Sequence, residues 1–335
     1  MCLLRLKKNN YWIAYLLFLA TTSCGKFFSC CNQIEIPCHW HTPLKNGFNE
    51  EDPSCFHWWE AFHDPLLTEL IEEGAANNFD VRLAATQSNE KSLQAANEVA
   101  ANIARSYIEL WGWQERLKIL HQQIECQKET FNLMEGLSQT GFADVLEENE
   151  NKNLLDLLYM EQAASELALQ KTIFHISTLL NYAPSDQYDL LYYSKKRLTL
   201  PTYMPLGNPR ELVERHPSIR EAKREYKLSG KPGAFYNYEK MILTVLEDAE
   251  IALAALQKNS EKFKYLMDRK KIKEEAFQLT KDLYHRGLKG EKDVQVTLQD
   301  LLSVEKAWVE GFVQLLSDYV NLYQALSGGW EIDCR

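Results

Sequence analysis

The sequence predicts a mainly α protein built from long antiparallel, coiled-coil-like helical hairpins in an internal tandem repeat. Three observations carry this. First, a shift of 146 positions lays two stretches of about 75 residues onto each other. Leu110 meets Leu256, Phe131 meets Phe277, Leu137 meets Leu283, Gly141 meets Gly287, Leu155 meets Leu301 and Leu169 meets Leu315. Second, all ten prolines lie at or before Pro232, and none falls within 97–183 or 233–335. Proline breaks helix interiors, so these two blocks are where long helices can run. Third, the apolar residues in both blocks follow a heptad. Ile103, Leu110, Leu117, Ile124 and Phe131 recur every seven residues, with Trp113, Leu120 and Met134 three residues later. Val294, Leu298, Leu301, Trp308, Phe312, Leu315, Tyr319, Leu322 and Leu326 step by four and three, with Glu305 as the exception. A sustained 3.5-residue repeat favours packed, left-handed supercoiled helices. Each run is expected to span about 35–40 residues, or ~50–60 Å at 1.5 Å per residue.

In chain order, residues 1–23 read as an export signal. Arg5, Lys7 and Lys8 precede a short apolar run from Tyr11 to Ala20, too short and wrongly flanked for a spanning helix. Thr21-Thr22-Ser23-Cys24 follows and resembles a bacterial lipobox, which would make Cys24 the lipidated first residue. The alternative is a plain signal cleaved nearby. Residues 24–55 are rich in Cys, Pro, Asn and His without periodicity and read as a lipid-anchored linker. Residues 56–183 form the first repeat, 184–207 a connecting segment with a strand-like alternation over Tyr188–Leu200, 208–330 the second repeat and 331–335 a tail. Asp64-Pro65 and Asn208-Pro209 each start a short helix, with the polar residue as cap and proline in the first turn.

Composition narrows the function. Without residues 1–23 the chain keeps 34 basic against 47 acidic side chains, a net charge of −13. That argues against nucleic acid as a partner, because such binding rests on neutralising phosphates. No Walker loop, dinucleotide fingerprint, HExxH or GxSxG occurs, so the expectation is no enzyme and no cofactor. Cys30, Cys31 and Cys38 lie near His39 and His41, but the spacing fits no zinc pattern and no metal is expected. The six cysteines besides Cys2 and Cys24 can form disulfides whose connectivity the sequence leaves open. His57, Trp58, Trp59, Glu60 and His63 are expected to dock as an aromatic segment against the helices.

Several motifs in order resemble TolC-type outer-membrane efflux proteins, of the lipid-anchored branch that works with resistance-nodulation-division pumps. They are Trp58-Trp59-Glu60-Ala61-Phe62-His63-Asp64-Pro65-Leu66, Glu214-Arg215-His216-Pro217-Ser218-Ile219, Tyr284-His285-Arg286-Gly287 and Tyr323-Gln324-Ala325-Leu326-Ser327-Gly328-Gly329-Trp330. The resemblance implies a lipoprotein of the bacterial outer membrane, facing the periplasm and held through acylated Cys24. It implies a homotrimeric duct for small molecules in a tripartite efflux or type I secretion system, with a periplasmic adaptor and an inner-membrane pump as partners. It also implies that Gly141 and Gly287 are hairpin tips, that Glu147 and Asp293 are acidic gate positions, and that Tyr284 and Lys289 are the aromatic and basic members of a latch. The residues alone are equally compatible with solvated, charged turns. One departure stands out. The family places strands after the first short helix of each half, whereas here Leu93–Ala96 runs on into the long helix and Leu228–Gly233 leads almost directly to Tyr238. Neither place has the roughly 9–11 alternating residues of a spanning strand, so little or no β-barrel is expected. A barrel-less, lipid-anchored periplasmic scaffold that binds partners without conducting is the alternative function.

Overall fold

The computed structural model describes residues 34–44, 48–49, 51, 57–142, 144–193 and 198–326. The signal 1–23, Cys24, most of the linker, Ser327–Trp330 and the tail lie outside the described residues. The chain divides into residues Met1–Pro37 and Cys38–Arg335. In the first unit, residues 34–37 are described and carry neither helix nor strand. Every described helix and strand belongs to the second unit.

Among the described residues nine α-helices follow a short 3-10 turn at Trp58–Phe62: α1 (Pro65–Asn77), α2 (Phe79–Ala85), α3 (Asn89–Gln139), α4 (Val145–Leu179), α5 (Tyr188–Tyr193), α6 (Pro209–Arg215), α7 (Pro217–Ser229), α8 (Pro232–His285) and α9 (Glu291–Ala325). Short polar side chains start them. Asp64 accepts from Leu66 N–H, Asn78 from Asp80 N–H, Ser88 from Lys91 N–H and Asn208 from Glu211 N–H, each satisfying an orphan donor of the first turn. The ends of the long helices repeat at the same shift as the sequence. Gln139 and His285 end α3 and α8, Val145 and Glu291 start α4 and α9, and Leu179 and Ala325 end them.

α4 and α9 have the expected length at 35 residues each. α3 and α8, at 51 and 54 residues, are longer than expected. Nothing between Ser88 and Asn97 breaks the first helix, and Pro232 sits at the start of the second, where its missing N–H costs nothing.

The long helices pack in the order α4, α3, α9, α8, with α1, α2 and α7 against α3 and α7 also against α8. α9 is an inner helix and buries two stripes. Leu301, Phe312, Leu315, Tyr319 and Leu322 lie on the heptad, and Leu302, Val309, Leu316 and Val320 lie beside it. The heptad exception Glu305 pairs with Lys270 across the α8–α9 seam at 3.1 Å, and the same ammonium lies 4.9 Å over the Trp308 ring. The aromatic entry docks as expected. Trp58 stacks on Tyr323 at 5.2 Å, and Tyr107 donates its hydroxyl to the buried Asp64 carboxylate at 3.0 Å.

Two regions differ from the sequence reading. The alternation over Tyr188–Leu200 predicts a strand, but Tyr188–Tyr193 is helix α5. Tyr188 and Tyr192 stack one turn apart at 5.4 Å, Leu191 is fully buried, and Gln114 Nε2 donates to the carbonyls of Leu191 and Tyr192. Tertiary contacts thus outweigh a weak local pattern. In the linker, the described residues from Cys38 onward are held in place. Trp40 is buried with its indole N–H on Gly207 O at 2.8 Å, and Glu250 accepts from His41 N–H and the Thr42 hydroxyl. Phe48–Asn49 (β1) and Met204–Pro205 (β2) form a two-residue parallel pair, the only strands among the described residues. Cys38 and Cys126 are free thiols, and burial pushes the Cys126 thiol pKa up. No described helix is long and apolar enough to cross a membrane.

Candidate functional site

The two hairpin turns have the same geometry. Gly141 has φ +76° and Gly287 φ +72°, the left-handed conformation that a side chain resists. In the first turn Gly141 N–H reaches Ser138 O at 3.0 Å and Phe142 N–H reaches Leu137 O at 2.9 Å. In the second, Gly287 N–H reaches Tyr284 O and Leu288 N–H reaches Leu283 O, both at 2.9 Å. These are paired Schellman closures, which satisfy the last carbonyls of α3 and α8. A Cβ at either glycine would meet nothing within 4 Å, so the glycines are there for backbone conformation and not for close packing.

The chemistry after the turns differs. In the second turn, Asp293 accepts from Gly290 N–H at 3.0 Å and from Lys289 Nζ at 3.2 Å. These two contacts hold its carboxyl below the ordinary aspartate pKa. Asp293 and Lys289 are therefore brought together, as a cap and an ion pair within one turn. In the first turn Asp144 accepts from Leu146 N–H at 3.2 Å, and Glu147 stands exposed in the first turn of α4, where its charge suits the helix dipole. Tyr284 is partly exposed and its ring lies 5.8 Å from that of His285.

Two features near the tips escape the sequence reading. Phe142 and Leu288, each directly after a tip glycine, are 84% and 69% exposed, and Val145 and Leu146 are exposed beside them. Both tips thus present apolar surface to solvent. Below them lies a buried polar layer. Gln127, 2% exposed, donates to Asn151 at 3.1 Å and accepts from Gln299 at 2.9 Å, while Thr130 donates to Gln295 at 3.0 Å. These bonds link α4, α3 and α9 and fix their register. The signal was in the heptad: Trp113, Leu120 and Met134 leave Gln127 as the polar member of their series. Among the described residues no group of His, Cys, Asp and Glu could hold a metal ion. Cys24 lies outside the described residues.

No family model matches the chain. The antibiotic efflux pump outer membrane protein ArpC of Pseudomonas putida is 19% identical over 310 residues, covering 73% of this chain. The toluene efflux pump outer membrane protein TtgC of the same species is 18% identical over the same length. The chain spans 63% of the length of these curated relatives. Solved structures agree in fold. The outer-membrane channel OprN matches with TM-score 0.71 at 18% identity, covering 89% of this chain and 98% of that one. The Campylobacter jejuni outer membrane channel CmeC matches at 0.70 and 13% identity, covering 90% and 95%. The outer membrane protein VceC of Vibrio cholerae matches at 0.65 and 15% identity, covering 84% and 100%. Among these relatives are efflux pump outer membrane proteins and outer-membrane channels. The chain is thus similar to TolC-type outer-membrane efflux proteins and shares their long-hairpin helical fold.

Proposed function

We propose that the chain is the outer-membrane lipoprotein subunit of a tripartite efflux or type I secretion system. Three copies assemble into a helical duct for small molecules. Acylated Cys24 holds it to the outer membrane, and the tips at Gly141 and Gly287 meet a periplasmic adaptor that links the duct to an inner-membrane pump. The observation that carries this reading is the open array of long helices. α4 and α8 each pack mainly on one long neighbour, and both expose large apolar side chains along their length, such as Leu154, Leu157 and Met160 on α4 and Ile251, Tyr265 and Ile272 on α8. Such edges call for lateral partners, and further copies of the same hairpins supply them. At the tips, exposed Phe142 and Leu288 give an adaptor apolar anchors, and Glu147 with the Lys289–Asp293 pair rings them with charge.

A second reading rests on one specific observation. α3 and α8 run unbroken from Asn89 and Pro232, and no described segment before them has the length of a spanning strand. On this reading the chain is a lipid-anchored scaffold that contacts partners without conducting. One experiment separates the two. Cys24 is replaced by Ala behind a cleavable signal, and membranes are extracted with carbonate. A duct that spans the bilayer through a barrel stays in the pellet. Release into the soluble fraction favours the scaffold.

A further inference from the structure

At the end of the helices away from the tips, a cleft of about 530 Å³ opens between the beginnings of α3 and α8, the start of α7 and the end of α9. Its size lies within the roughly 300–1,000 Å³ of small-ligand sites. Three carboxylates line it, Glu98 from α3, Asp248 from α8 and Asp318 from α9, and no lysine or arginine does. Asp318 is 4% exposed, and its hydrogen bonds come from neutral amides, Asn259 at 2.6 Å and Gln314 at 2.9 Å. Neutral amide donors leave that negative charge uncancelled beside the cleft. His216 adds no charge at neutral pH. Its Nδ1 accepts from Ser218 N–H at 3.2 Å, and burial, then the Arg215 charge, lower its pKa to about 4. Arg105 and Arg215 are cations behind the wall; the Arg105 guanidinium is bonded to the lining amides of Asn321 and Gln324 and also feels the Glu98 charge, so Asp248 is the less compensated carboxylate at the mouth.

The second observation is Asn97. It lines the cleft, is 9% exposed, and its Oδ1 is buried without a hydrogen-bond partner. An acceptor in that position is costly unless a donor arrives. Met241 and the buried Val245 supply an apolar wall. The carboxylates do not gather into a group that could hold a metal ion, so a hard cation lacks its cage.

We propose that this cleft binds an organic ammonium ion, with an N–H donated to Asn97 Oδ1, the charge facing Asp248 and Glu98, and the apolar body against Met241 and Val245. The site belongs to one protomer and does not depend on duct assembly, so it stands or falls separately from the transport reading.

The test is calorimetric titration of the full-length protein in detergent with 4-phenylbutylammonium, set against neutral 4-phenylbutanol. Saturable binding of the ammonium at least tenfold tighter than the alcohol is expected. Asp248→Asn, at an exposed position, weakens it at least tenfold, and Asn97→Leu does likewise with unchanged helical circular dichroism. If Asn97→Leu fails to fold, Asp248→Asn alone decides. Asp300→Asn, nearer the tips beside Lys273, leaves it unchanged. No saturable binding, equal binding of the alcohol, or equal loss with Asp300→Asn overturns the proposal.

Discussion

α4 and α9 occupy equivalent places in the repeat and share a length of 35 residues, yet they are used differently. α9 buries 13 residues along nearly its whole length because α3 and α8 flank it. α4 buries six, all from Ser165 onward, because α3 is its main long neighbour and α9 reaches it through the Lys306–Glu161 ion pair. Its first half leaves Leu146, Leu154, Leu157, Tyr159 and Met160 exposed. A duplicated sequence therefore fixes helix ends, while position in the array decides which apolar residues a single chain can bury. The surplus on α4 is the surface that a second copy would cover.

The sharpest way to break this comparison is to put a charge on each helix. Leu316, 0% exposed in α9, lies between packed helices. Leu316→Asp should cost at least ~4 kcal/mol, since it buries an unpaired carboxylate and loses apolar packing, and urea unfolding of the protein in detergent would register it. Leu157→Asp on α4, where Leu157 is 51% exposed, should change the unfolding of the dissociated single chain by less than ~0.5 kcal/mol. It should instead abolish the oligomer seen by light scattering. Equal effects of the two substitutions would remove the distinction between an inner and an edge helix.

Much of this fold is legible in the residues. The 146-residue shift locates both glycines, and the proline-free blocks locate the long helices. The heptad of α9 singles out Glu305, whose partner Lys270 only the folded seam can show. The alternation at Tyr188–Tyr193 misleads, because so short a pattern carries little information against a buried Leu191 and a Gln114 side chain from another helix. At the tips the sequence locates the turns but not the roles of their side chains. Asp293 caps its own helix and pairs with Lys289, a local task that makes its charge less free for a gate. The exposure of Phe142 and Leu288 depends on the closure geometry and is invisible in a periodicity.

A pH titration sharpens the contrast between the cleft end and the tips. The folded protein holds His216 near a pKa of about 4 against 6.5 for a free imidazole, so between those values the unfolded chain binds more protons. Stability therefore falls as pH drops from about 6.5 towards 4, by roughly 3 kcal/mol, and flattens below. A His216→Asn variant should lose that slope in urea melts taken across the interval. Asp293 works in the opposite region. Its depressed carboxyl contributes above the ordinary aspartate pKa, and the contribution is lost as pH falls through the lower folded value.

Smaller effects separate the buried polar layer and the two turns. Gln127→Ala removes the bonds to Asn151 and Gln299 and should cost ~1–3 kcal/mol, with faster amide exchange in α4 and α9 near the tips. Asp293→Ala should loosen the start of α9 by removing the bonds to Gly290 N–H and Lys289, whereas Glu147→Ala, exposed and in the open turn, should fall within ~0.5 kcal/mol. Amide exchange at Gly290 and Glu291 would report the difference.

In the proposed assembly, further copies of this chain cover the exposed edges α4 and α8. The direct measurement is the native mass of the full-length protein in detergent, with one cysteine placed at Leu154 on α4 and another at Ile272 on α8 for oxidative cross-linking in the membrane. The expected result is the mass of three chains, each of 38.9 kDa before processing, with disulfide-linked ladders ending at three. A single-chain mass with no cross-linked species would contradict it.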